Sequence, residues 1–290
     1  MSNEYSKTER EQGTELNSEG LRAEVIRTEI NKIVFENYWK PIEILGQHVI
    51  AMSVELISVE IQKRYGGDKK EIMKIVLESI LESPSPEDLE SDAVNVLADA
   101  VRSGEHIIIW TLGDEGAYSD DESKIYYPAY DLQKKKVDGS KILSKLDEAL
   151  PQTQDRKQDA SQSVALSISA RDKHDALRDS VIKFSEMGVR HVYVVDDRQE
   201  NLDMISGVSQ EVGGGPQVHD FRINSTHPEG TLTAFRRYIS ERRSEHLLRK
   251  ERTGLILDWD NTLYNEERRV RRSAQLIADK ILKIVLKYEF

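Results

Sequence analysis

Four short apolar runs limit what this 290-residue chain can fold into: Ile107-Ile-Ile-Trp, Val164–Ile168, Val192-Tyr-Val-Val and Leu255-Ile-Leu. A strand that is apolar on successive residues has no polar side to give to water, so both of its faces must be covered. Between the runs the apolar residues change period. Leu89, Ala93, Val96, Leu97 and Ala100 recur at helical spacing before the first run, and a helix from about Asp172 to Met187 precedes the third. Short strands alternating with amphipathic helices predict an α/β fold: a Rossmann-like parallel sheet with helices on both faces.

The same pattern divides the chain. Residues 1–19 hold almost nothing apolar and read as a disordered tail. Residues 20–84 read as helices broken at Gly66-Gly67, although Lys32–Tyr38 could instead form a short strand. Ser83-Pro-Ser-Pro-Glu-Asp marks a boundary and a helix start. Residues 85–290 read as the α/β core, with a basic helix at Thr231–Arg252 and a last helix, Glu266 to Lys287, free to return to the N-terminal helices. Residues 113–160 are polar and carry no clear period. The Lys134–Lys136 run within them reads as loop.

Composition removes several kinds of chemistry. There is no cysteine, which excludes disulfides, thiolate nucleophiles and cysteine-ligated metals. The seven histidines are scattered without metal-ligand spacing. A net charge of −11 disfavours nucleic acid as a partner. Residues 231–290 do hold 14 Lys and Arg against 9 Asp and Glu, and their arginine pairs read as a solvated face. No signal-like apolar segment opens the chain, and no run reaches the ~18 apolar residues of a membrane helix. The expectation is a cytoplasmic protein with no membrane contact, its oligomeric state unread.

The chemistry-bearing residues sit where the apolar runs stop. Thr111 ends the first, Asp196 and Asp197 the third, Asp258 the fourth. In an open α/β sheet the ligand crevice lies beyond those strand ends. Carboxylates gathered there repel one another unless a cation or proton joins them. With oxygen donors alone, Mg²⁺ is the natural guest.

The segment Leu255-Ile-Leu-Asp258-Trp-Asp260-Asn-Thr262 resembles the first motif of the haloacid dehalogenase-like superfamily, an apolar strand followed by Asp-x-Asp-x-Thr. Thr111 resembles that family's Ser/Thr motif, Lys173 its helix-opening lysine, and Asp196-Asp197 its acidic motif. The order departs from the family, whose Asp-x-Asp-x-Thr strand usually comes first. The resemblance therefore implies a circularly permuted domain, with residues 20–84 and the last helix supplying a helical cap. It implies a Mg²⁺-dependent phosphohydrolase acting on a phosphorylated substrate of unread class. Asp258 would be the nucleophile and Asp260 the acid and base. Thr111 and Lys173 would hold the phosphoryl group. Asp258, Asp260 (through its carbonyl) and Asp196 or Asp197 would hold the metal. Two alternatives stand beside this reading. One is a fold of the same kind that has lost catalysis and serves as an interaction module. The other is a receiver-like phosphoacceptor domain, suggested by Val194-Val-Asp-Asp but opposed by the 32 residues that follow Asp258, too few for a receiver's remaining strands.

Overall fold

The computed structural model describes residues 5–45, 49–112, 129–150, 164–169, 173–223, 232–235, 237, 240, 241 and 251–288. They belong to two units, one holding Met1–Ser83 and Glu267–Phe290, the other Pro84–Ala117 and Pro128–Glu266.

The second unit is α/β. Its strands are β1 (His106–Leu112), β2 (Val164–Ser169), β3 (His191–Asp196), β4 (Gln217–Arg222) and β5 (Thr253–Asp258). They form one parallel sheet in the order β2-β1-β5-β3-β4. The last strand in the chain is thus the middle strand of the sheet. Composition explains its place: Leu255, Ile256 and Leu257 are all fully buried. Each such side chain contributes about 1.5–3 kcal/mol when both faces of the strand are covered.

Alternate residues serve the two faces. Ile107, Ile109, Tyr193, Val195, Leu255 and Leu257 point to one cluster. There they meet Val96, Leu97 and Val101 of α4 (Ala93–Arg102) and Ile142 and Leu146 of α6 (Ile142–Ala149). Ile108, Trp110, Val192, Val194 and Ile256 point the other way. Their partners are Leu177, Val181 and Phe184 of α7 (Lys173–Glu186), and Leu202, Ile205 and Val208 of α8 (Gln199–Glu211). Phe184 lies so close to β5 that a Cβ on Gly254 would come within 3.0 Å of its ring.

The first unit is helical: α1 (Tyr5–Leu45), α2 (Ile50–Tyr65), α3 (Lys69–Glu82) and most of α9 (Glu266–Tyr288). Asp68 caps α3 by accepting from the Glu71 amide at 2.9 Å. Arg269 of α9 is fully buried and donates to the Ile80 carbonyl, to Ser83 and to Tyr38, with its guanidinium over the Tyr38 ring. Among the described residues, no helix is long and apolar enough to cross a membrane.

Several local expectations are corrected. Lys32–Tyr38 is not a strand but part of α1, its apolar residues Ile33 and Val34 buried as one helical face. Helix α1 starts at Tyr5, inside the stretch read as a tail, and residues 1–4 lie outside the described residues. The Lys134–Lys136 run is helical, within α5 (Ala129–Ser140). Arg269 belongs to a core, not to a solvated face. Strand β4 has no counterpart in the sequence reading because its six residues hold only two apolar ones, Val218 and Phe221, three apart and so without strand alternation. The expected helix at Thr231–Arg252 is helical at 232–235, 237, 240 and 241, and residues 242–250 lie outside the described residues.

Candidate active site

Because β5 lies between β1 and β3, three strand ends converge. Asp258 closes β5 and Asp196 closes β3, both buried, and Asp197 follows half-buried. One carboxylate oxygen from each of these three aspartates lies within 4.8 Å of the others. On the other side of β5, Trp110 is in register with Asp258, and the Trp259 amide donates to the Trp110 carbonyl at 3.0 Å. The ladder therefore runs on past Asp258, with Thr111 buried next to it.

The acids are not equivalent. Oδ1 of Asp196 accepts from the Arg198 amide at 2.9 Å and from Asn201 Nδ2 at 2.8 Å, which fixes that carboxylate. Asp197 is held above the usual carboxylate range, chiefly by burial and then by the charge of Asp196, against the opposing pull of Arg198. Asn261 Nδ2 reaches Asp197 Oδ2 at 3.4 Å.

Asp260 sits on a tight turn after β5. The amides of Leu263 and Tyr264 both donate to the Trp259 carbonyl, at 3.1 and 3.0 Å, and the Asn261 amide donates to the Tyr264 carbonyl at 2.8 Å. Asn261 takes a left-handed backbone, φ 59°, which asparagine tolerates better than most residues. The turn is tied to the start of the unit by Asp88. Its carboxylate accepts from the Tyr264 hydroxyl at 2.9 Å, and its carbonyl accepts from the Asn265 amide. Thr262, the threonine of the motif, is fully buried with no hydrogen-bond partner for its hydroxyl among the described residues.

Both oxygens of Asp260 receive donors. Lys136 Nζ lies 2.9 Å from Oδ1 and 3.1 Å from Glu266 Oε2, and its side chain is only 3% exposed. Gln133 Nε2 donates to Oδ2 at 2.8 Å, and Thr111 Oγ1 lies 3.4 Å from the same oxygen.

The structure thus brings Asp258, Asp196 and Asp197 into one group and places Asp260 beside Thr111. Lys173 is the first residue of α7, and its side chain lies outside the described residues. Sequence reasoning missed Lys136, Gln133, Glu266 and Asn201. For the first two the telling feature is the burial of their α5 neighbours Leu132 and Val137, which the fold shows and the sequence does not.

The donor set suits a hard divalent cation. Three carboxylates offer only oxygen, two of them are buried, and the third is pushed toward its neutral form first by burial and then by the charge of Asp196. No family model, no curated protein and no solved structure matches this chain.

Proposed function

We propose that the chain is a Mg²⁺-dependent phosphohydrolase of the haloacid dehalogenase-like kind, in circularly permuted order, with the N-terminal helices and α9 forming its helical cap. The observation that carries this reading is the meeting of Asp258, Asp196 and Asp197 at adjacent strand ends, within 4.8 Å. The central place of β5, between the Thr111 strand and the Asp196 strand, supports the permuted order.

In this reading an Asp258 oxygen attacks the phosphorus of a phosphomonoester in line. The bond to the leaving oxygen breaks as Asp260 gives that oxygen a proton, and an aspartyl-phosphate forms. Asp260 then takes a proton from water, the water oxygen attacks the same phosphorus, and the bond to Asp258 breaks to release phosphate. Thr111 donates a hydrogen bond to a phosphoryl oxygen, and Lys173 supplies positive charge from the head of α7. Asp258, Asp196, Asp197 and the Asp260 carbonyl are the groups that would hold Mg²⁺. When bound, it supplies charge neutralisation for the phosphoryl oxygens. The acidic net charge disfavours nucleic acid as the substrate, and a cytoplasmic location remains part of the proposal.

The test is hydrolysis of a generic aryl phosphate. Activity should require Mg²⁺, vanish with chelator, and be absent in Asp258→Asn, since an amide cannot serve as the nucleophile. Equal turnover by wild type and Asp258→Asn would sink the reading and advance the interaction module.

A further inference from the structure

Asp260 is gripped from α5, and we propose that Lys136 and Gln133 are positioning residues that assign the proton-transfer role to its Oδ2. The inference rests on the phosphohydrolase reading. It concerns residues outside every motif that the sequence offered.

The geometry separates the two oxygens. Oδ1 meets Lys136 Nζ at 2.9 Å, and the same ammonium meets Glu266 Oε2 at 3.1 Å. Lys136 and Glu266 are 3% and 5% exposed, so the lysine cannot swing away without leaving a buried carboxylate behind. Oδ1 is an anchor. Oδ2 faces Thr111, the hydroxyl assigned to the phosphoryl group, at 3.4 Å. The oxygen on the substrate side is therefore Oδ2.

Gln133 completes the assignment. It lies one helical turn before Lys136 on α5, and its Nε2 directs Oδ2 at 2.8 Å. Two directing groups on one rigid helix hold the carboxyl in a single orientation, where a misplacement of ~1 Å can cost ~10²-fold in rate. A quarter turn of the carboxyl would break both contacts, whereas a half turn only exchanges two equivalent oxygens between the anchored position and the one facing Thr111.

A leaving-group series tests this. Phenyl phosphates are compared from a nitrophenol leaving group, which departs without a proton, to a methoxyphenol, which needs one. With Mg²⁺, Lys136→Met and Gln133→Leu should lose kcat/KM by ~10²-fold on the methoxyphenyl ester and by far less on the nitrophenyl ester. Lys136→Arg should restore part of the loss. KM should change little, and the rise in melting temperature with Mg²⁺ should persist, because neither residue belongs to the Asp258 group. Losses of equal size across the series, or no loss, overturn the positioning role. If Lys136→Met does not fold, Gln133→Leu decides alone, since it leaves the Lys136–Glu266 pair in place. A wild type that hydrolyses no member of the series overturns the enzyme reading and this inference together. A wild type silenced by Asp258→Asn, with flat losses in the α5 variants, removes only the inference.

Discussion

Two groups of acids lie side by side at the ends of the central strands, and they meet their negative charge in opposite ways. Asp260 and Glu266 share a buried ammonium, Lys136, at 2.9 and 3.1 Å. Asp196 is held by an amide hydrogen and a side-chain amide, and its neighbour Asp197 is pushed toward the neutral form. The first group carries its cation within the chain. The second has three carboxylate oxygens within 4.8 Å of one another, the donor set proposed above to hold Mg²⁺. In the proposed reading the fixed pair positions, and the aspartate group responds to the metal.

The strongest way to break this contrast is to remove the internal cation. Lys136→Met should destabilise the fold by about 3–5 kcal/mol, because Glu266 then remains buried without its ammonium. Denaturant titration measures the loss. The double variant Lys136→Met with Glu266→Gln should regain much of it, and a double variant no more stable than the single would refute the account.

The external cation comes next. At ~100 times its dissociation constant, Mg²⁺ should stabilise wild type by ~2.7 kcal/mol. Asp196→Asn should show little of this, whereas Lys136→Arg should keep it. A neutral salt at matched ionic strength separates binding from screening of the −11 charge. If that salt raises the melting temperature as much as Mg²⁺ does, the three aspartates are not a metal site.

A smaller effect lies in Asp197. Its folded form holds a proton more tightly than the unfolded chain does, so the native state binds more protons between the two titrations. Stability should therefore be fullest below the ordinary carboxylate range and decline as pH rises through the raised value. Asp197→Asn should flatten that decline in Mg²⁺-free buffer. A variant with the same acid-side slope as wild type would dismiss the assignment.

The smallest is His106, at the opposite end of the sheet. Burial, and then the charge of Arg252, lowers it from its ordinary 6.5. Here the unfolded chain binds the extra proton, so stability is present above that value and falls slightly as pH drops below it. His106→Gln should remove this slope. The ring is half-exposed, so the effect is small.

Much of the scaffold was legible because burial on both faces leaves a strong mark. Val192–Val195 and Leu255–Leu257 could belong only to covered strands, and their terminal acids told where a ligand crevice would lie. The grip on Asp260 was not legible. Lys136 sits in a run of three lysines, where charge reads as surface, and its partners lie far along the chain at 260 and 266. Sequence shows the residue but not the buried face it joins. Strand β4 escaped for another reason: an edge strand needs only one good neighbour, so Val218 and Phe221 suffice among polar residues. Helix α1 absorbed Lys32–Tyr38 because local β-branched content is a weak preference beside a continuous helical face.

The place of β5 has a consequence for how the protein comes into being. β1 pairs with β2, and β3 pairs with β4, but the two pairs meet only through β5. A ribosome delivers that keystone after all the others. At a synthesis rate of roughly 5–20 residues per second, β1 waits on the order of ten seconds for its second neighbour. Until then Ile107–Trp110 and Val192–Val195 each present an open edge of apolar backbone to the cell. Emergence of β5, rather than of the first half of the chain, is the moment at which the sheet can close.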